Sequence, residues 1–196
     1  MKSYIVRFGG CALICTCLTG LSFAADAPPN SRKPNIIFIL ADDLGYGDLG
    51  CFGQKKIRTP HLDRLAAEGM TLTRHYAGNA VCAPSRCVLM TGKHPGHAFI
   101  RNNRQMGNGS LSTMGKPEVE GQHPIPEETV TLAEVFKKLG YATGGFGKWG
   151  LGGPGSTGEP LKQGFDRWFG YNCQAVAHNF YPTYLWDNDQ TIPLNN

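Results

Sequence analysis

Asn35-Ile36-Ile37-Phe38-Ile39-Leu40 is a continuous apolar run rich in β-branched side chains, followed closely by Asp42, Asp43 and Gly45. A run without polar alternation offers no side to solvent, so it reads as a strand buried on both faces, as inside a parallel sheet. Parallel strands need long crossover connections, usually helices. Thr59-Pro60 to Gly69 supplies one, with a capping residue, a proline at the first helical position, Leu62, Leu65 and Ala66 on one face and a glycine stop. Met70 to Tyr76 alternates in the manner of a half-buried strand, and Pro84 to Thr91 reads as a short helix. Thr131-x-x-Glu134 is a capping box opening a helix over 132–139, with Gly140 closing it. Tyr141 to Phe146 is the next strand. This alternation predicts an α/β fold, a sheet flanked by helices. Ligands of such sheets bind beyond the carboxyl ends of the strands, where Asp42, Asp43 and Lys148 fall.

The stretch from Val81 to Gly92 concentrates a thiol (Cys82), a proline (Pro84), a hydroxyl (Ser85) and a guanidinium (Arg86) ahead of an apolar run. Proline suits a first helical turn, where its missing N–H has no helical partner. Cys82 is therefore expected at a helix mouth, where free N–H groups attract an anion. Arg86, about one turn in, can add a two-pronged donor on the same side. Asp42 and Asp43 are adjacent acids whose mutual repulsion a hard divalent cation would relieve. Taken singly, each has an ordinary alternative: a solvated turn for the aspartates, a buried thiol for Cys82, a surface cation for Arg86 and Lys148.

With 196 residues, the chain is long enough for one domain with a substantial core. Its formal charge of +4 is mild, with Lys and Arg scattered, which argues against nucleic acid as a partner. The 26 glycines and 13 prolines favour a loop-rich enzyme over a helical bundle. His94 to Gln122 reads as one long loop, of the kind more often functional than idle. Gly150 to Gly158 reads as a flexible turn region, and Phe165 to Trp186 is rich in aromatics.

Residues 1–24 have the pattern of a secretory signal peptide: Lys2 and Arg7, a short apolar core from Cys11 to Leu21, and Ser22-Phe23-Ala24 as a small-x-small cleavage site. The apolar core is shorter than the ~20 residues a stable membrane span needs. Residues 25–33 read as a linker and 34–196 as the catalytic portion. Export to a periplasmic or extracellular space is the expectation. Cleavage would leave Cys51, Cys82, Cys87 and Cys173, whose spacing matches no zinc site and fixes no disulfide.

Cys82-Ala83-Pro84-Ser85-Arg86, with Thr91-Gly92 behind it, resembles the Cys-x-Pro-Ser-Arg stretch of the type I sulfatases. Asn35 to Gly45 upstream and Gly147-Lys148-Trp149 downstream resemble further motifs of that family, in the family's order. The resemblance implies an alkaline-phosphatase-like α/β fold, of which this chain is the N-terminal portion only. It implies that a formylglycine-generating enzyme oxidises Cys82 to formylglycine. One hydroxyl of the hydrated aldehyde would attack sulfur, while the other stays near a calcium ion held by Asp42, Asp43 and the modified residue 82. Loss of a proton from that second hydroxyl would then expel sulfate. Arg86 would hold the hydrate and metal-site oxygens, and Lys148 a sulfate oxygen.

One departure from the pattern stands out. Many members carry a histidine after Gly-Lys-Trp, where this chain has Gly150. His178 and His97 are candidate replacements, and Arg101, Asn103 and His178 are candidate substrate-pocket residues, as polar groups on long loops. Nothing after Lys148 resembles the pair that completes the family's metal shell. The reading is a sulfuric ester hydrolase acting on sulfated carbohydrates or aryl sulfates. The alternatives are a phosphate or phosphonate ester hydrolase of the same superfamily, or a non-catalytic sulfated-glycan-binding protein.

Overall fold

The computed structural model describes residues 33–103 and 121–196. The expected signal peptide, all but the last residue of the expected linker, and residues 104–120 of the long loop lie outside the described residues. The chain divides into two units, Met1–Ala41 and Asp42–Asn196.

In the first unit the apolar run forms no strand, and its side chains are exposed, Ile37 at 85%. The expectation of a buried strand at Asn35–Leu40 is corrected here. A strand is defined by the neighbour that takes its N–H and C=O groups, and no ladder among the described residues includes this run. Apolar composition specifies a preference for burial, and the partner must come from elsewhere.

Among its described residues the second unit holds two short 3-10 turns (Tyr46–Asp48 and Gly50–Phe52), four helices and one four-stranded sheet. Helix α1 spans Pro60–Glu68. The Thr59 hydroxyl before it accepts from the Gly50 amide at 2.8 Å and donates to Asp63 at 2.9 Å. Asp63 also accepts from the Cys51 amide at 2.7 Å, so α1 is clamped to the preceding turn. Residues 70–76, expected as a half-buried strand, form an exposed loop without ladder partners. Their alternation has no sheet to face.

Helix α2 spans Cys82–Thr91 and ends on Gly92, whose φ of 66° places it in the left-handed region and whose N–H reaches the Val88 carbonyl. Helix α3 spans Leu132–Lys138 and carries the expected capping box in both directions. The Thr131 hydroxyl accepts from the Glu134 amide at 3.3 Å, and the Glu134 carboxylate accepts from the Thr131 amide at 2.8 Å.

The sheet has strand order β1-β2-β3-β4, with β1 at Gly144–Lys148, β2 at Arg167–Tyr171, β3 at Tyr184–Asp187 and β4 at Gln190–Pro193. Only β1 and β2 run parallel; the two remaining pairings are antiparallel. The strand expected at Tyr141–Phe146 therefore begins three residues later. Gly140 and Tyr141 still serve the end of α3: the Tyr141 amide bonds to the Phe136 carbonyl, and the two rings meet edge to face at 5.3 Å.

Glycine lets β1 and β2 carry a large aromatic core. A Cβ at Gly145 would lie 2.6 Å from the Trp168 ring, and one at Gly170 would lie 2.0 Å from the Gly147 carbonyl oxygen. Into the space left pack Trp149, Phe165 and Trp168, with ring centroids 5.4 to 5.8 Å apart. Ala83 and Cys87 of α2 are fully buried in the same cluster, together with Leu151, Tyr184 and Trp186. That packing docks the helix carrying Cys82 against the strand ending at Lys148. The glycine-rich segment after the strand, expected to be flexible, is instead packed: Leu151 is fully buried, and the Trp149 indole N–H donates to the Gly158 carbonyl at 2.7 Å.

At the opposite end of the sheet Lys137 pairs with Asp166 at 2.7 Å, and Asp166 also accepts from the Thr143 amide at 2.9 Å. The Lys137 bond above all, then the Thr143 amide, lowers the Asp166 pKa to about 2. A carboxylate with a depressed pKa adds stability above its unfolded value and loses it as pH falls toward the folded one. Thermal melts from pH 5 down to about 2 should thus show an acid-dependent loss of Tm below about pH 4 that Asp166→Asn reduces. The effect is small because the pair is solvated, and it shrinks in high salt. Gly170→Ala, which combines a φ of 145° with the carbonyl clash, should cost about 2–4 kcal/mol in denaturant titrations.

Candidate active site

Val81, the residue before α2, receives no side-chain cap, so the helix mouth is satisfied from outside. Asn103 does this: its Oδ1 accepts from the Ala83 amide at 2.9 Å. Cys82, the first helical residue, is left half-buried at that mouth with its thiol directed to Lys148, whose Nζ lies 3.5 Å from Sγ. Lys148 is the last residue of β1, as the rule for strand carboxyl ends requires.

The same ammonium contacts Asp42 Oδ2. Arg86, one turn into α2, lies 3.7 Å from that oxygen through Nη2 and donates from Nη1 to the Lys148 carbonyl. Four residues from three segments far apart in sequence therefore converge: Asp42, Cys82 and Arg86 of α2, and Lys148. The side chains of Lys148 and Arg86 are only 10% and 16% exposed, against 43% for Asp42. Cations this poorly hydrated gain from a nearby anion far more than surface lysines do.

The hydrogen bond from Lys148 foremost, helped by the charges of Lys148, Arg86 and His178 and opposed by burial, lowers the Asp42 pKa. Burial lowers that of Arg86, with Asp42 and Cys82 pulling the other way. His178, at the C-terminal end of α4 (Gln174–Ala177), is thus close enough to Asp42 to act on it electrostatically.

The remaining sequence candidates fall elsewhere. Asp43 is exposed, with a φ of 55°, outside the ion pairs of Asp42. Arg101 spends its guanidinium on its own loop, donating to the carbonyls of Ala98 at 3.3 Å and Gly96 at 2.6 Å. His97 is exposed and packs edge-on against His94. Among the described residues, no group of three or more His, Cys, Asp or Glu gathers as a metal cluster.

The sequence reading passed over a set of buried amide residues beside Trp149 and Gly150. Gln122, Asn172 and Gln174 are each at most 1% exposed. Gln174 Nε2 reaches toward the Trp149 carbonyl at 3.4 Å, and the Gln174 backbone N–H donates to Gln122 Oε1 at 2.6 Å. A Cβ at Gly150 would lie 1.7 Å from Gln174 Nε2. Gly150 also has a φ of 82°. The glycine at this position and the glutamine behind it fit one another, and only the three-dimensional contact reveals the pairing.

The sulfatase family signature matches residues 34–192. The chain belongs to the sulfatase family. It is 41% identical to mouse (Mus musculus) steryl-sulfatase over 167 residues, covering 81% of this chain and 26% of that protein. It is 43% identical to human (Homo sapiens) N-acetylgalactosamine-6-sulfatase over 152 residues, covering 76% and 27%. The chain thus spans about a quarter of the length of these curated relatives. Among solved structures, a Bacteroides thetaiotaomicron 6S-sulfatase from work on glycosaminoglycan metabolism aligns with a TM-score of 0.61 at 36% identity, over 84% of this chain and 33% of that one. Ps i-CgsB, solved with k-i-k-neocarrahexaose, aligns with a TM-score of 0.61 at 27% identity, over 83% and 38%. These neighbours and the mixed α/β sheet bear out the expected alkaline-phosphatase-like fold class.

The resemblance of the chain's motifs to those of the type I sulfatases carries the expectation of a divalent cation and a modified Cys82. Asp42 and Asp43 carry carboxylate oxygens of the kind a hard ion takes, but among the described residues no third His, Cys, Asp or Glu gathers with them. The cationic groups of Lys148 and Arg86 on Asp42 Oδ2 mark where positive charge is favoured. The Cys82 sulfur is the Cβ substituent at the helix mouth, so it marks where an oxygen of a converted side chain would project. Gly150→His should destabilise the chain by about 2–3 kcal/mol, from the left-handed φ plus the collision with Gln174. Adding Gln174→Ala should recover the steric share and leave the backbone share, which a pair of denaturant titrations would resolve.

Proposed function

We propose that this chain carries the nucleophile and sulfate-holding portion of a sulfuric ester hydrolase site. The observation that carries the reading is the convergence of Cys82, Lys148, Arg86 and Asp42, from the three motifs that resemble those of type I sulfatases. In this reading Cys82 is converted to formylglycine by a formylglycine-generating enzyme, and its hydrate supplies the nucleophilic oxygen. Asp42, Asp43 and the modified residue 82 would hold calcium, which supplies Lewis-acid stabilisation of sulfate oxygens.

The chain's own residues then have separable tasks. Lys148, at the strand end and facing position 82, neutralises a sulfate oxygen whose charge grows as the ester bond breaks. Arg86 is held by the Lys148 carbonyl and keeps Asp42 oriented, so it positions the donor side of the site. Asn103 fixes the α2 mouth and thereby the direction of residue 82. His178, close enough to Asp42 to act on it electrostatically, is the side chain best placed to contact substrate or exchange its proton.

The substrate reading is a sulfated carbohydrate, with aryl sulfates as surrogates. It is supported by relatives named for N-acetylgalactosamine 6-sulfate, by the neighbour solved with a neocarrahexaose, and by the exposed rings of Phe180 and Tyr181 two and three residues beyond His178. Aromatic faces of this kind pack against sugar rings. The expected export, with residues 1–24 as a cleaved signal, belongs to the same proposal. Among the described residues no helix is long and apolar enough to cross a membrane.

The test is co-expression with a formylglycine-generating enzyme, followed by mass spectrometry of the Cys82 peptide and p-nitrophenyl sulfate turnover by the full-length protein. Aldehyde at residue 82 is expected. Cys82→Ala should abolish turnover, and Lys148→Ala should lower kcat by about 10²–10³-fold. A thiol that stays unmodified beside its modifying enzyme, or a Cys82→Ala variant that still turns over, would overturn the reading.

A further inference from the structure

We infer that Gln174 is a positioning residue, whose buried carboxamide holds the main chain just after Lys148 and so aims the Lys148 ammonium. The inference rests on the proposed sulfatase reading and adds to it a residue that touches none of the reacting groups. Four bonds fix the backbone where β1 ends. The Lys148 carbonyl accepts from Arg86, and the Trp149 N–H donates to the Tyr171 carbonyl at 2.9 Å. The Trp149 carbonyl faces Gln174 Nε2 at 3.4 Å, and the Gly150 N–H donates to the Asn172 carbonyl at 3.1 Å. The two bonds to β2 and its continuation come from the backbone, whereas the two carbonyls are taken by the side chains of Arg86 and Gln174.

Gln174 is itself fixed. Its backbone N–H donates to Gln122 Oε1 at 2.6 Å. Its carboxamide occupies the space into which any side chain at residue 150 would project, so the glycine leaves nothing between it and the strand end.

Packing alone does not account for a carboxamide here. Gln174 is 1% exposed, and its Oε1 has no hydrogen-bond partner among the described residues. A buried acceptor without a partner is costly, and methionine would fill a similar volume without one. What the carboxamide adds is a directed donor for the Trp149 carbonyl. The Lys148 ammonium rides on a flexible stem, so its aim depends on where the backbone at residue 148 is held. It lies 3.5 Å from Cys82 Sγ, and a shift of about 1 Å between reacting groups can cost ~10²-fold in rate.

The test uses the full-length protein matured by a formylglycine-generating enzyme, with circular dichroism confirming that each variant is folded. Gln174→Met is expected to lower kcat on p-nitrophenyl sulfate about tenfold while KM stays within about twofold. Gln174→Asn, too short to reach Trp149, serves as a second variant with the same expectation. In a Lys148→Ala background Gln174→Met should change kcat by less than about twofold, because no ammonium is left to aim. Gln163→Met is the structural control: Gln163 is also 1% exposed, and its carboxamide donates to the Thr157 carbonyl at 2.8 Å. A full tenfold loss in the Lys148→Ala background, or an equal loss from Gln163→Met, overturns the inference. Nitrogen-15 relaxation of the Lys148 ammonium reads its ordering without turnover. Gln174→Met should make it more mobile and Gln163→Met should not, and an unchanged Lys148 signal in Gln174→Met overturns the inference. If the unsubstituted protein fails to turn over, the sulfatase reading falls, while the ammonium signal still decides whether Gln174 positions Lys148.

Discussion

The Arg86 guanidinium joins three segments that the chain keeps far apart. It projects from the first full turn of α2, donates to the backbone at the end of β1, and faces the carboxylate that follows the N-terminal apolar run. A planar group with fixed donors is suited to such a junction, since each bond it makes restricts the others. Because it grips the Lys148 carbonyl rather than a side chain, it sets the position of the strand end. The lysine ammonium then comes within contact of both the Cys82 thiol and the Asp42 carboxylate.

That junction is held by packing rather than by charge alone. Ala83 and Cys87 turn one face of α2 into the tryptophan cluster, and the small side chains there allow a close approach. The glycines of β1 and β2 do the same on the sheet side, trading side-chain burial for backbone proximity. Asn103 replaces the missing cap of α2, so the thiol-bearing first turn does not fray. Aromatic core, glycine pairing and amide cap serve one end: a rigid mouth facing a rigid strand end, with a single flexible ammonium between them.

The sequence was most legible where the signal is local. The Thr131–Glu134 capping box and the glycine closing α2 were readable because they depend on atoms only a few residues apart. The three site motifs were also readable, and the structure brings Asp42, Cys82, Arg86 and Lys148 together. Strands were read less well. The run at 35–40 and the alternation at 70–76 have the right composition, but pairing is a property of two segments, and neither has a partner among the described residues. The fit of Gln174 to Gly150 was invisible for the same reason: its two halves are separated in sequence and bear no shared pattern.

What the sequence determined by itself is the chemistry available: paired acids after an apolar run, a thiol and guanidinium at a proline-marked helix start, and a lysine at a glycine-rich strand end. Those follow from residue types at fixed local spacing. Tertiary structure alone decided which of these groups meet. Asp42 and not Asp43 receives both cations, Arg101 turns back on its own loop, and Asn103 holds the helix mouth. Each outcome depends on which face of one element packs on another, and local spacing along the chain does not specify that.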